Sequence, residues 1–375
     1  INGVPCSVNR WLLTDVLRNQ WGFNGLTVSD ANAIAECVNH GIAADKASAS
    51  KQALEAGMDM DMTSNSYIET VEELVKSGKV KEETLDRAVA DILRVKFELG
   101  LFDNPYQTSN EREAAELSNP EYRILAREMA EKSIVLLKND NILQLKRDMH
   151  IGIIGELADA RGQMTGAWAI GADENDCVSI VDACKAQGVK YTYLNGFADD
   201  QVDTQGLASL AESCDAFIVA VGENKDLSGE AASRSDITLP QGQEALLDAV
   251  DTLGKPVVTV LFNGRPLAIP HVADTMQAIL EAWHPGVEAG NALLNIIFGD
   301  VNPSAKLTTT FPYSTGQCPM YYAHINTGRP GGKGKFTSKY LDTPLTPVYP
   351  FGYGLSYTTF AYSNLIVEIK EDALK

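Results

Sequence analysis

Short apolar stretches alternate with longer helical ones along almost the whole chain, and the rhythm breaks once, at a polar stretch over residues 103–121 that holds Pro105 and Pro120. Such alternation implies parallel strands, because a chain returning to a sheet in the same direction needs a crossover long enough to be a helix. Before the break the residues predict helices over 11–20, 44–56, 68–77 and 82–98, with strands over 26–29 and 58–62. In folds of this kind the functional residues gather where a strand ends and its loop begins. Asp30 and the Asp59-Met60-Asp61-Met62 segment both stand at such ends. Two strands cannot close a (β/α)8 barrel, which takes roughly 250 residues. Residues 1–102 therefore read as the C-terminal part of a barrel, and the start at Ile1 rather than at a methionine reads as a cut.

Residues 103–121 read as a linker on their polar, proline-containing composition. Beyond it a helix over 122–137 leads into strands over 151–154, 191–194, 216–221, 256–262 and 278–282, interleaved with helices over 178–186, 206–212, 241–252 and 288–298. The expected architecture over 122–345 is an α/β sandwich with an open, mostly parallel sheet covered by helices on both faces. Its ligand edge is the row of loops after the strands, where residues 223–236 fall. From Val348 the composition turns to Tyr, Gly and Thr, and residues 365–369 read as a strand without partners.

Charge narrows the ligands. The chain carries 31 Lys and Arg against 50 Asp and Glu, a formal charge of −19, with no basic block. Nucleic acid and anionic membrane are excluded as partners on that balance, and neutral or small ligands fit better. No apolar run approaches the roughly 18 residues of a membrane span, and no signal peptide opens the chain. The six cysteines, at 6, 37, 177, 184, 214 and 318, form no C-x-x-C pair, and no histidine stands at metal spacing. Buried free thiols are expected, with a Cys177–Cys184 bridge left open, and neither metal nor cofactor is indicated. Gly152-Ile153-Ile154-Gly155 lacks the full dinucleotide fingerprint, and no Gly-x-Ser-x-Gly elbow is present.

Carboxylates are the remaining chemistry. Asp30 follows an apolar strand and precedes a helix, so it reads either as a group at a barrel mouth or as a helix N-cap. The loop after residue 221 holds Glu223, Asp226 and Glu230 among small residues, and local pattern does not choose among them. Glu36, six residues beyond Asp30, is a reserve acid. Trp168 stands in a glycine-containing loop, where it either stacks on a sugar ring or plugs the core between domains. Two carboxylates on two loops suit glycoside hydrolysis, in which one attacks the anomeric centre and the other protonates the leaving oxygen.

Several ordered motifs add to this reading: Asn2-Gly3-Val4-Pro5-Cys6, Trp11 to Arg18, Trp21-Gly22-Phe23 and Val28-Ser29-Asp30, then Leu99-Gly100-Leu101-Phe102 and Ser133 to Asn139. Ser228-Gly229-Glu230 with Ser233-Arg234, Leu239-Pro240 and Gln243 continues the series, followed by Ala282-Trp283, Pro285-Gly286, Phe298-Gly299-Asp300 and Tyr349 to Tyr357. With these motifs the chain resembles the glycoside hydrolases of family 3 over essentially its whole length. The resemblance implies Asp30 as nucleophile and Glu230 as acid/base; Trp168, Met62 and Ser228 are the candidate sugar contacts. It also implies that residues 346–375 begin a fibronectin III-like domain. Ala31 stands where many relatives carry Trp or His, Ala305 stands where glycine is usual, and the family's earlier glycone-binding strands have no counterpart here.

The implied activity is that of a retaining exo-acting β-glucosidase on β-glucosides and gluco-oligosaccharides, without cofactor, exported to the periplasm or secreted, with a homodimer left open. Alternatives are a β-xylosidase or N-acetylglucosaminidase of the same family, and a catalytically incompetent fragment that only binds or scaffolds.

Overall fold

The computed structural model describes residues 1–240, 242–367, 369–370 and 373–374, the last four by backbone alone. The expected helix start at Gln241 and the expected strand residue Glu368 lie outside them. The chain divides into two compact units, residues 1–117 and 118–375.

The first unit opens with a helix at Trp11–Gln20, wound in π fashion so that the Trp21 N–H reaches the Val16 carbonyl. Strands β1 (Val28–Ala31) and β2 (Met60–Met62) pair in parallel, with Val28 opposite Met60 and Ala31 opposite Met62. Between them run α1 (Ala33–Asn39) and α2 (Lys46–Ala56), and after them α3 (Ser66–Lys76) and α4 (Glu82–Glu98). Helix α2 is the centre of this unit. Asp45 and Ser48 close a capping box at its start, which satisfies two of the backbone N–H groups a helix leaves free. Its Ala49, Ala53, Leu54 and Ala56 are buried.

Asp59, just before β2, has no exposed side-chain surface and binds Arg18 at 2.5 Å and Arg87 at 2.7 Å, along with the Thr27 N–H and hydroxyl. This network ties the first helix and α4 to the strand starts. The stretch expected as a linker carries a further helix, α5 (Asn110–Leu117). Ser109 starts it by accepting from the Arg112 N–H, and Glu111 and Glu113 in its first turn suit the positive helix end.

In the second unit α6 (Pro120–Ser133) ends earlier than the expected helix over 122–137, and β3 (Val135–Asn139) takes its last residues. β-Branched Ile134 and Val135 are poor helix formers, and Val135, Leu136 and Leu137 are at most 1% exposed where β3 lies against residues 278–281. Then come β4 (Ile151–Ile154), α7 (Ile180–Gln187), β5 (Tyr191–Leu194) and the short ribbon β6 (Phe197–Ala198) with β7 (Gln201–Val202). These are followed by α8 (Thr204–Ser213), β8 (Ala216–Gly222), α9 (Gln243–Asp251), β9 (Val257–Phe262), α10 (Pro270–Thr275), β10 (Ala278–Glu281) and α11 (Ala289–Ile297). Helix α10 has no counterpart in the sequence expectations. Among the described residues, Leu365 to Val367 form no strand, and Ile369–Lys370 pairs with Ala373–Leu374 as β11 and β12.

The main sheet has the order β3-β10-β9-β8-β4-β5, parallel except where β3 meets β10. Each face has its own core. Ala216, Ile218 and Ala220 of β8 pack with α6, α7 and α11, while Phe217, Val219 and Val221 pack with α8, α9 and α10. The strand period of two thus divides one apolar run between two helix layers. All six cysteines are unpaired. Cys37, Cys177, Cys184 and Cys214 are buried, but Cys6 and Cys318 are exposed, against the expectation of burial. Burial pushes the Cys184 thiol up to about 12. Among the described residues no helix is long and apolar enough to cross a membrane.

Candidate active site

Three neighbouring strands of the second unit end in polar residues at the same edge: β8 runs into Glu223, β9 into Asn263, and β10 finishes at Glu281 before Trp283 and His284. Glu223 is fully buried and pairs with Arg234 at 2.6 Å and Arg265 at 3.1 Å. A buried carboxylate needs such partners, since an unpaired charge in the interior is heavily penalised. Both arginines also hold the chain that follows Glu223. Arg265 donates to the Leu227 carbonyl and, at 2.7 Å, to that of Ala232, while Arg234 donates to the Thr238 carbonyl at 3.2 Å. The loop over residues 224–238 is therefore pinned on both sides of its tip.

Glu230 occupies that tip. It is exposed, and its carboxylate has no hydrogen-bond or ion-pair partner among the described residues. Gly229 (φ 99°) and Ala231 (φ 57°) flank it in the left-handed region, which costs a non-glycine residue roughly 1–2 kcal/mol. Ser228 beside them is buried. A methyl group on Gly229 would lie 2.8 Å from Ala167 Cβ and 3.6 Å from Trp168 Nε1, so the tip is seated against the loop after β4. The Lys225 N–H donates to Gln163 at 2.7 Å and joins the same two loops. Trp168 is 68% exposed, which leaves an open indole face near Glu230. The other acids of the loop differ: Glu223 is consumed by ion pairs, and Asp226 lies exposed in a short helical turn.

Behind this loop, burial pushes Glu281 up to about 8 against the bonds it accepts from the Trp283 N–H and Asn263, so it holds its proton at neutral pH. Burial also lowers His284, leaving a neutral imidazole. A methyl on Gly264 would meet Ser228 Oγ at 2.2 Å and His284 Nε2 at 3.3 Å, which places these side chains together under the loop. Arg265 and Glu281 were not singled out from sequence. The available signal was positional, since each of these strands turns polar at its C-terminal end.

In the first unit Asp30 lies within β1 and is exposed. Its Oδ1 accepts from the Ala31 N–H at 2.7 Å. The N-cap of α1 is Asn32, held left-handed at φ 60°, so the N-cap reading of Asp30 does not stand. The Asp30 main chain is fixed through Ser29, whose hydroxyl bonds the Asp30 carbonyl and receives the Met62 N–H, both at 2.9 Å. Met62 is opposite Ala31 and exposed, so Asp30 and Met62 share one strand end. Glu36 is exposed in the first turn of α1 and has no side-chain hydrogen bond or ion pair among the described residues. Among the described residues no group of His, Cys, Asp and Glu could hold a metal ion.

Residues 1–95 match the Glycosyl hydrolase family 3 N terminal domain, and residues 134–357 match the Glycosyl hydrolase family 3 C-terminal domain. The chain belongs to glycosyl hydrolase family 3. It is 42% identical to the periplasmic beta-glucosidase of Salmonella typhimurium over 97% of this chain and 52% of that protein. A beta-xylosidase of Formosa agariphila is 37% identical over the same shares. The crystal structure of beta-glucosidase from Listeria innocua in complex with isofagomine superposes with a TM-score of 0.91 at 37% identity, covering 98% of this chain and 52% of that one. The chain thus spans about half the length of the relatives it matches, and within that span the fold is an α/β fold with a mixed sheet.

Proposed function

We propose that this chain carries the two catalytic carboxylates of a retaining exo-acting β-glucosidase. The observation that carries the reading is Glu230: a carboxylate without a partner among the described residues, at the tip of a loop clamped by the Glu223–Arg234–Arg265 network, beside an exposed indole. Asp30 attacks the anomeric carbon as Glu230 donates its proton to the departing glycosidic oxygen, giving a glycosyl ester on Asp30. Glu230, now ionised, takes a proton from water, which displaces Asp30 and regenerates both groups. Retention asks for carboxyl groups roughly 5 to 5.5 Å apart at the moment of reaction.

Trp168, Met62 and Ser228 are the proposed sugar contacts. In the same reading residues 1–102 are the C-terminal part of a (β/α)8 barrel, because a parallel pair with Val28, Met60 and Met62 exposed calls for covering elements. Residues 346–375 lead toward a fibronectin-like domain, and export to the periplasm follows the location in the Salmonella relative's name. A β-xylosidase is the second reading, favoured by the Formosa relative.

The test is covalent trapping. An activated 2-deoxy-2-fluoro-β-glucoside is expected to leave a stable ester on the peptide containing Asp30, seen by mass spectrometry in a protein that also includes the rest of the barrel. A label on another acid would overturn the assignment. The ratio of aryl β-glucoside to aryl β-xyloside turnover separates the two substrate readings.

A further inference from the structure

A second cleft lies on the β4 side of the same sheet edge. Its volume is about 400 Å³, and it opens between the ends of β4 and β8, at Gly155 and Gly222. The fold gives that position meaning. From β4 the chain leaves through α7, which packs on one face, whereas from β8 it leaves through α9, which packs on the other. Loops that part in opposite directions open a crevice at the carboxyl ends of the strands, where open α/β sheets bind ligands. At 400 Å³ the cleft falls within the roughly 300–1,000 Å³ range of small-molecule sites. Neither Glu230 nor Trp168 lines it.

The lining specifies the ligand class. Glu156 and Asp200 present carboxylates with no hydrogen-bond or ion-pair partner among the described residues, and no Lys or Arg stands among the described lining residues, so an anion such as a phosphate is disfavoured. The amides supply donors. Gln163 and Asn224 each spend their carbonyl on a backbone N–H, from Lys225 and Asp226 respectively, which leaves their NH₂ groups for a ligand. Asn195 adds a third amide, which gives one N–H to the Tyr193 hydroxyl and keeps the other for a ligand. Free N–H donors beside free carboxylates match a dense set of hydroxyls, each of which gives and takes a hydrogen bond, better than they match a cation.

Phe197 supplies an apolar wall, and it sits on a ribbon built to hold Asp200 in place. β6 pairs with β7 across Asp199 and Asp200, which have φ of 48° and 60°. Two successive residues with positive φ form the tight hairpin turn normally given to Asn-Gly. Left-handed aspartates at a cleft rim are the kind of local strain that clusters at binding sites.

We propose that this cleft is a non-catalytic binding site for a neutral polyhydroxylated ligand, a mono- or disaccharide, held by Glu156, Asp200 and the three amides against Phe197. The site is independent of the catalytic roles given to Asp30 and Glu230, and a failure of those roles leaves the following test intact. Saturation-transfer difference NMR on the full chain, with glucose and with hydrolysis-resistant S-linked cellobiose as probes and putrescine as the cation control, reads the binding. Saccharide signals are expected to fall at least fivefold in the Glu156→Gln/Asp200→Asn pair and in Phe197→Ala, and to persist in Glu230→Gln. The altered side chains are exposed or half-buried, and melting curves confirm that the variants fold. Signals that vanish in Glu230→Gln but survive in the cleft variants would place the sugar elsewhere and overturn the proposal. Absence of saccharide signals, or binding of putrescine alone, would overturn it as well.

Discussion

Glu223 and Glu230 are seven residues apart on one loop, and replacing each by glutamine should have opposite consequences. Glutamine keeps the shape of Glu223 but leaves Arg234 and Arg265 without their buried counter-charge. Breaking a buried ion pair by removing one partner costs roughly 3–5 kcal/mol. The low end applies, because the arginines retain 18% and 22% exposure and keep their carbonyl partners. About 3 kcal/mol lowers the melting temperature of a unit of this size by roughly 6–12 °C. Hydrogen exchange should place the loss at residues 224–238, which those arginines tie down. Glu230→Gln removes no hydrogen bond or ion pair among the described residues, so its stability should stay within about 0.5 kcal/mol of wild type.

Turnover by the catalytically complete protein, in contrast, should drop by about 10² to 10⁴ in Glu230→Gln on substrates whose leaving oxygen needs a proton. It should drop far less on aryl glucosides with strongly acidic phenols. Thermal melting, hydrogen exchange and a leaving-group series measure all of this. A Glu223→Gln protein that melts within a degree of wild type, or a Glu230→Gln protein as unstable as Glu223→Gln, would refute the division of labour between the two acids.

Asp30→Asn should abolish turnover by at least about 10³-fold while leaving the melting temperature in place, since the side chain is exposed; substantial residual activity removes it as nucleophile. Glu281, whose ordinary value is 4.5 and which burial raises to about 8, binds its proton more tightly folded than unfolded. The stability it contributes is therefore full below about pH 4.5 and lost as pH climbs toward 8. Glu281→Gln should flatten the fall in melting temperature across that window, and an unchanged slope would count against the raised value. Gly229→Ala should displace the loop tip, because its methyl would lie 2.8 Å from Ala167 at a φ of 99°; a tenfold or greater fall in turnover at near-native stability is the expected reading.

Elements with strong periodicity were legible from sequence to within a residue or two: α4 at Glu82–Glu98 and β5 at Tyr191–Leu194 coincide with their expected bounds. Boundaries set by partners distant in sequence were not. Nothing within residues 135–137 says that they join a strand beside β10, some 140 positions later, instead of finishing the preceding helix. Helix α5 was hidden because its first turn, Asn110 to Glu113, is as polar as a linker. Among the candidate residues, Asp30 lost its capping alternative only when the backbone put Asn32 at the helix start.

The three acids of the 223–230 loop show why pattern alone could not choose. All follow an apolar strand, and their residue types are interchangeable on paper. What distinguishes them is the length of chain between each acid and the strand end. Glu223 emerges directly from β8, where its neighbours β9 and β4 bury whatever comes next, so that position tolerates a charge only if cations reach it. Arg265, two residues beyond Asn263 at the end of β9, and Arg234, farther along the loop, both do. Once they bind Glu223 their remaining N–H groups face the loop carbonyls, so the acid at the strand end organises the loop and the acid at its tip stays uncommitted. A chain with a neutral residue at position 223 would need another means of holding Glu230. The same logic orders the first unit, where Asp59 is saturated by Arg18, Arg87 and Thr27 at the base of β2, while Asp30 at the far end of β1 has one carboxylate oxygen without a partner among the described residues.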